Sequence, residues 1–257
     1  MWDVLTRKDE EAGNGVKVFT GFDFPCMYVG WQLKKKHGCK WTVFLWDPPC
    51  LSHRDCFPPL RYAIDALFRF FAKRCNKLVL NIHPGLLDEI GYKPLEGQLE
   101  LRMQDAWEGF DFNHVEREER VDGFEYDFGV LANWSKAKGG ELIAEALKRM
   151  PCKKCLWIGN PPKDGKTRKG IEFVGRLSHK ESVGALRMCR TLVVPYLPVR
   201  ALKWNYPLKL FEYLELGRSI VASDNPGNVE VSERCTGRIV LFKSGDVVDL
   251  VKKLDSV

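Results

Sequence analysis

Short runs rich in β-branched and aromatic residues alternate along this chain with longer amphipathic stretches, and that rhythm is the signature of βαβ units laid on a parallel sheet. In the first half it predicts strands near 16–20, 41–46, 77–82 and 98–103, with helices near 26–36, 60–75 and 85–90 between them. In the second half it predicts strands near 128–132, 154–159, 171–174, 191–195 and 219–222, and helices near 140–150, 180–189 and 208–216. The stretch 112–125 (FNHVEREERVDGFE) is acidic and nearly free of aliphatic residues, which suits a connection better than an element. At 257 residues the chain is long enough for two small domains. The expected division is 1–120 and 121–257.

Composition excludes several classes. Hydrophobic residues make up 45% and charged residues 29%, so the chain is neither a disordered tail nor a collagen-like or disulfide-stapled miniprotein. The longest uncharged apolar runs, 192–197 and 41–46, fall far short of the ~20 residues a spanning helix needs. The first residues lack the apolar centre of a secretory signal, so the expected compartment is cytoplasmic. The 9 cysteines are odd in number and irregularly spaced, as expected of reduced thiols. Only Cys152 and Cys155 have metal-like spacing, and with no second such pair no metal site is expected.

Charge separates the halves. Residues 1–125 hold 17 Lys and Arg against 20 Asp and Glu, a net of −3, whereas residues 126–257 hold 23 against 14, a net of +9. An anionic ligand is therefore favoured in the second half. No helix-turn-helix, zinc-finger or RNP-type pattern accompanies that charge, so nucleic acid is not the expected partner.

Ligands of doubly wound sheets bind beyond the carboxyl ends of the strands. Here those places are 133–138, Gly159 with Asn160, Gly175 with Arg176, 195–209 and 223–228. The most informative of them begins at Tyr206. Pro207 opens a helix whose first N–H groups, from Leu208 onward, are unpaired and attract phosphate. Lys209 adds positive charge, and Glu212 on the same helix can accept two sugar hydroxyls. Gly217 closes the helix before a buried strand.

The stretch 207–223 follows the frame P-x-K-x-x-E-Y-x-x-x-G-x-x-x-V-A-S, and it resembles the signature of the GT-B glycosyltransferases of family 4. The segments 128–147, 171–181 and 191–195 are similar to that family's donor-domain strands, loop and helix. The resemblance implies an α/β architecture of two Rossmann-like domains facing across a cleft, with the N-terminal domain incomplete by about three strands. It implies retaining transfer of a sugar from a nucleotide-diphosphate donor to a glycan, lipid-linked or small hydroxyl acceptor, with no cofactor and no metal. Lys138 looks like the residue that contacts the donor diphosphate, and Glu212 like the acid that holds its ribose. Asn133, Gly175, Arg176, Pro207, Leu208 and Lys209 complete the expected donor site.

Three positions depart from the family pattern. Trp204 stands where a first acid is usual, and Asn133 stands where an arginine is common. Trp46 replaces a histidine while the following Asp47 is kept, so Asp47, Lys138 and Glu212 are the expected catalytic residues. These departures leave open a second reading, an inactive or partner-dependent nucleotide-sugar-binding subunit. An exposed sheet edge in the first domain would suit a homodimer or a partner chain. His53 and His83 follow strand ends and could reach a cleft, though a lone loop histidine is more often a plain polar residue.

The predicted helix 60–75 (LRYAIDALFRFFAKRC) joins Phe68, Phe70 and Phe71 to Arg61, Arg69, Lys73 and Arg74. Its first reading is a core-packing helix with a charged outer face. Its second is a peripheral contact with anionic lipid head groups.

Overall fold

The computed structural model describes residues 5–8, 16–21, 23–45, 58–101, 123–206, 208–235 and 237–257. Asp47, His53 and Pro207 lie outside the described residues, as do Cys50 and Cys56. The chain divides into two compact units, one of Met1–Phe110 with Trp204–Tyr206 and one of Asp111–Lys203 with Pro207–Val257. Most of the acidic connection, including the expected boundary, falls among the residues not described. The inclusion of 204–206 in the first unit is a feature that two contiguous segments do not anticipate.

The first unit is built on a five-stranded sheet, ordered β1 (Leu5–Lys8), β2 (Val16–Thr20), β3 (Lys40–Leu45), β4 (Lys77–Leu80), β5 (Leu99–Leu101). All neighbours are parallel except β1, which runs antiparallel along β2 and so occupies the edge expected to be open. Helices α1 (Phe24–His37) and α2 (Pro58–Ala72) connect the parallel strands, and the short α3 (Gly85–Glu89) follows β4. Asp23 caps α1, its side chain accepting the Cys26 N–H at 2.8 Å.

Two close approaches fix this unit. Trp41 on β3 is fully buried, and its indole N–H donates to Thr20 Oγ1 at 2.8 Å. Gly30 of α1 leaves room for that ring, since a Cβ there would fall 2.2 Å from Trp41 Nε1. Similarly, the Trp204 ring stacks on His83 at 5.4 Å, and its N–H donates to Glu89 at 2.6 Å. Gly85 makes space for it, as a Cβ would lie 2.2 Å from the ring. Buried Gln98 ties the end of α2 to β5, donating to the carbonyls of Ala72 and Cys75 at 2.9 and 3.0 Å and accepting the Tyr92 hydroxyl at 2.7 Å.

The second unit is a six-stranded, wholly parallel sheet ordered β11, β10, β9, β6, β7, β8. Its strands are β6 (Tyr126–Leu131), β7 (Cys155–Ile158), β8 (Ile171–Gly175), β9 (Cys189–Val194), β10 (Ser219–Ser223) and β11 (Ile239–Phe242). The helices are α4 (Gly140–Arg149), α5 (His179–Arg187), the one-turn α6 (Arg200–Lys203), α7 (Leu208–Glu215), α8 (Pro226–Arg234) and α9 (Val247–Asp255). The α8, β11 and α9 elements go beyond those predicted. Ile143 and Leu147 of α4 and Leu250 and Leu254 of α9 pack with Val130, Trp157, Val193 and Phe242 in one buried cluster. Cys155 lies in that cluster, where burial pushes its thiol up.

Filling a close-packed contact forces strain on both partners. We therefore expect Gly30→Ala to destabilise the protein by about 2 kcal/mol, as overpacking does, read as a lowered midpoint in urea unfolding.

Candidate functional site

In the second unit β6 sits in the interior of the sheet, with β7 following on one side and β9 on the other, so the strand order reverses there. Beyond the carboxyl ends of β6, β7 and β8 opens a cavity of about 410 Å³. Its lining includes Asn133, Lys138, Gly159, Arg176 and Lys209. The topology puts a crevice where a doubly wound sheet presents its ligand.

Glycines let three backbone segments converge on it. Gly139, at the start of α4, has φ +76°, and a Cβ there would fall 2.0 Å from the Pro195 carbonyl oxygen. Gly159 has φ +132°, and its Cβ would fall 2.3 Å from the Ala132 carbonyl oxygen. Only glycine tolerates both the φ and the approach. Asn133 supports the loop after β6, its side-chain oxygen accepting the Asn160 N–H at 3.1 Å. Thus Asn133 contributes a brace as well as a wall.

Helix α7 is clamped to the end of β6 through a single residue. The Lys209 ammonium donates to the Leu131 carbonyl, and the Leu131 N–H donates to the Tyr213 hydroxyl oxygen at 2.9 Å. Lys209 and Tyr213 are one helical turn apart, so one face of α7 satisfies both backbone groups of Leu131. Tyr213 is fully buried, and burial raises its hydroxyl well above the usual phenol range. Its role as a latch carried no sequence signal beyond its place beside Glu212.

The clamp leaves Lys209 poor in water and close to Lys138. Burial first, then the Lys138 charge, pull the Lys209 ammonium down to about 8, with Glu212 opposing. Arg176 adds a third cation, exposed at the rim. The N-terminus of α4, with no side-chain cap, begins two residues after Lys138 and offers further N–H donors. Together Lys138, Arg176 and Lys209 gather positive charge on the lining of the cavity.

Of the expected donor-site residues, Asn133, Lys138, Arg176 and Lys209 meet in this cavity. Gly175 borders it, with φ +73° and its carbonyl accepting the Gly159 N–H at 2.7 Å. Glu212 and Leu208 do not line it; Glu212 is half-buried on α7, where its charge reaches Lys209, and Leu208 is exposed. In the first unit, His83 is spent on Trp204 and Tyr206, whose ring lies 5.9 Å away. Among the described residues no group of three or more His, Cys, Asp or Glu side chains is placed to hold a metal ion.

Because the folded state lowers the Lys209 pKa, the cost of keeping it charged is present below about pH 8 and fades as pH rises toward 10.5. Lys209→Met removes that cost. Because the change also removes the bond to the Leu131 carbonyl, the expected signature is a trend: the variant's melting temperature relative to wild type falls as pH rises above about 8 and is flat below it, in paired thermal scans across pH.

The profile of the family described as glycosyl transferases group 1 matches residues 125–257. No curated protein sequence matches the chain. Among solved structures, a sucrose-phosphate synthase from Thermosynechococcus elongatus is similar at 14% identity and a TM-score of 0.64, over 93% of this chain and 63% of that one. An α,α-trehalose 6-phosphate synthase from Burkholderia multivorans matches at 13% identity and 0.57, over 93% and 62%. An Escherichia coli trehalose-6-phosphate protein bound with UDP-2-fluoro glucose matches at 12% identity and 0.59, over 93% and 64%. The fold is that of the GT-B glycosyltransferases, and this chain spans somewhat under two thirds of each of these structures.

Proposed function

Because the chain belongs to the group 1 glycosyl transferases, we propose that it moves a hexosyl group from a nucleotide-diphosphate sugar to a hydroxyl of a glycan, lipid-linked or small acceptor, with retention at the anomeric carbon. The observation that carries this reading is the meeting of Lys138, Lys209 and Arg176 at the carboxyl ends of β6, β7 and β8. A departing diphosphate gathers negative charge, and donors already fixed around it stabilise that charge without reorganising. Lys138, Lys209 and the free N–H groups of α4 supply this role, so the reading requires no metal. Glu212, on α7, takes the ribose hydroxyls. Asp47, after β3, is assigned to the acceptor side.

Lys209 is tuned for such a ligand. Without an anion its charge is costly; beside a diphosphate the cost is offset and its pKa rises. Binding above about pH 8 therefore takes up a proton, and affinity falls as pH increases through that region.

A partner-dependent, nucleotide-sugar-binding subunit is the second reading, and Trp204 favours it. At the position of the family's first acid, the chain places an indole whose ring is stacked on His83 in the first unit. The acid's function would then have to come from elsewhere.

The test is calorimetric titration with UDP-, GDP- and ADP-linked sugars, without added metal, on the wild type, Lys138→Ala and Glu212→Ala, followed by an acceptor screen for glycosylated product. We expect one donor to bind, at least tenfold more weakly in both variants and progressively more weakly above pH 8. Product with an acceptor supports the transferase. Donor binding without product across the screen supports the subunit, and no binding by the folded protein overturns both.

A further inference from the structure

We infer that the joined outer faces of α1 and α2 form a docking surface for an anionic lipid bilayer. Six of the eleven large apolar side chains that stand exposed among the described residues lie on these two helices: Tyr28, Val29, Leu60, Tyr62, Leu67 and Phe70. Tyr62 is 63% exposed and Tyr28 50%. The outer face of α2 is therefore apolar, not charged. Ile64, Phe68 and Phe71 face inward, as a core-packing helix requires, but the helix's one acid, Asp65, is buried with them. An apolar outer stripe on a helix whose inner stripe is already packed needs a partner of its own.

Charge identifies the partner. Residues 24–37 and 58–76 carry seven Lys and Arg and a single acid, Asp65, although the first half of the chain is net acidic. The cations cluster where the last turns of the two helices meet and are braced by the same aromatic rings. Trp31 packs edge-on against Phe70 at 5.4 Å, and the Arg74 guanidinium lies 3.5 Å over Phe70. Lys35 lies 5.9 Å over Trp31, and Lys34 donates to the Arg74 carbonyl at 2.7 Å. Apolar and amphipathic rings rimmed by Lys and Arg are the chemistry of an interfacial contact, in which rings enter the head-group boundary and cations meet lipid phosphates. No described helix is long and apolar enough to cross a membrane, so the contact lies in the plane of the surface. A second copy fits poorly, because a twofold interface would press this cationic patch against itself. The inference rests on the first unit alone and stands apart from the donor site.

The test is co-sedimentation of the full chain with vesicles of phosphatidylcholine alone and of phosphatidylcholine with about one third phosphatidylserine. We expect partition into the anionic vesicles at least ~10-fold above neutral ones, fading as salt rises. Two variants separate the contributions, Lys35→Glu/Lys36→Glu/Lys73→Glu and Tyr62→Ser/Leu67→Ser. All five side chains are exposed, so circular dichroism and melting should match the wild type. Each variant should lose partition about tenfold or more. No preference for anionic vesicles, or a preference that survives both variants, overturns the proposal. A dimer seen by light scattering that both variants dissolve overturns it in favour of a second copy, and capture of a soluble acidic protein in place of vesicles does so in favour of that partner.

Discussion

The second unit depends on how the end of one strand is held. Leu131 is the last residue of β6, and the side chains of α7 satisfy both its N–H and its carbonyl. A buried backbone group left unpaired costs on the order of 1–3 kcal/mol, so the clamp sets the register of α7 against the sheet. It also decides the electrostatics of the cavity. The lysine that reaches the carbonyl must lie at the carboxyl end of the sheet, poor in water and beside Lys138, which is why its charge is held at a cost. One side chain thus both ties the strand end and carries a costly charge.

Much of this architecture was legible in the sequence. Alternation placed the strands at Val16–Thr20, Lys40–Leu45 and Ile171–Gly175 close to where they lie, because every second side chain along them is the more buried one, a period of two that the sequence displays. The edge strand Leu5–Lys8 was not legible, since LTRK is short and mostly polar. Ile239–Phe242 and Val247–Asp255 do carry signals, an apolar run and then an amphipathic repeat, but they follow the family motif and lie outside its frame. The glycines at 139 and 159 were readable as punctuation, not as the close approaches that require them.

The site was legible in part. Lys138, Arg176 and Lys209 announce themselves by charge near strand ends, and they do meet. The depressed pKa of Lys209 has no local cause, because it needs β6, α4 and α7 together. Trp204 shows the same limit. Sequence marks it as standing where an acid is usual, while its destination, a stack against His83 over Gly85, joins positions more than a hundred residues apart.

Net charge hides two kinds of cation. The two lysines that line the cavity are half-buried and few, and Lys209 feels the charge of Lys138 beside it. Those on α1 and α2 are half-buried or exposed and spread over two helices, where water screens them and none is singly decisive. A single substitution should therefore weigh heavily at the cavity and lightly on the helices, where only grouped changes alter the field. Residues 1–110 hold 15 Lys and Arg against 14 Asp and Glu, and the stretch 111–125 holds 2 against 6, so the net of −3 over 1–125 arises outside the first unit, the one that carries these two helices.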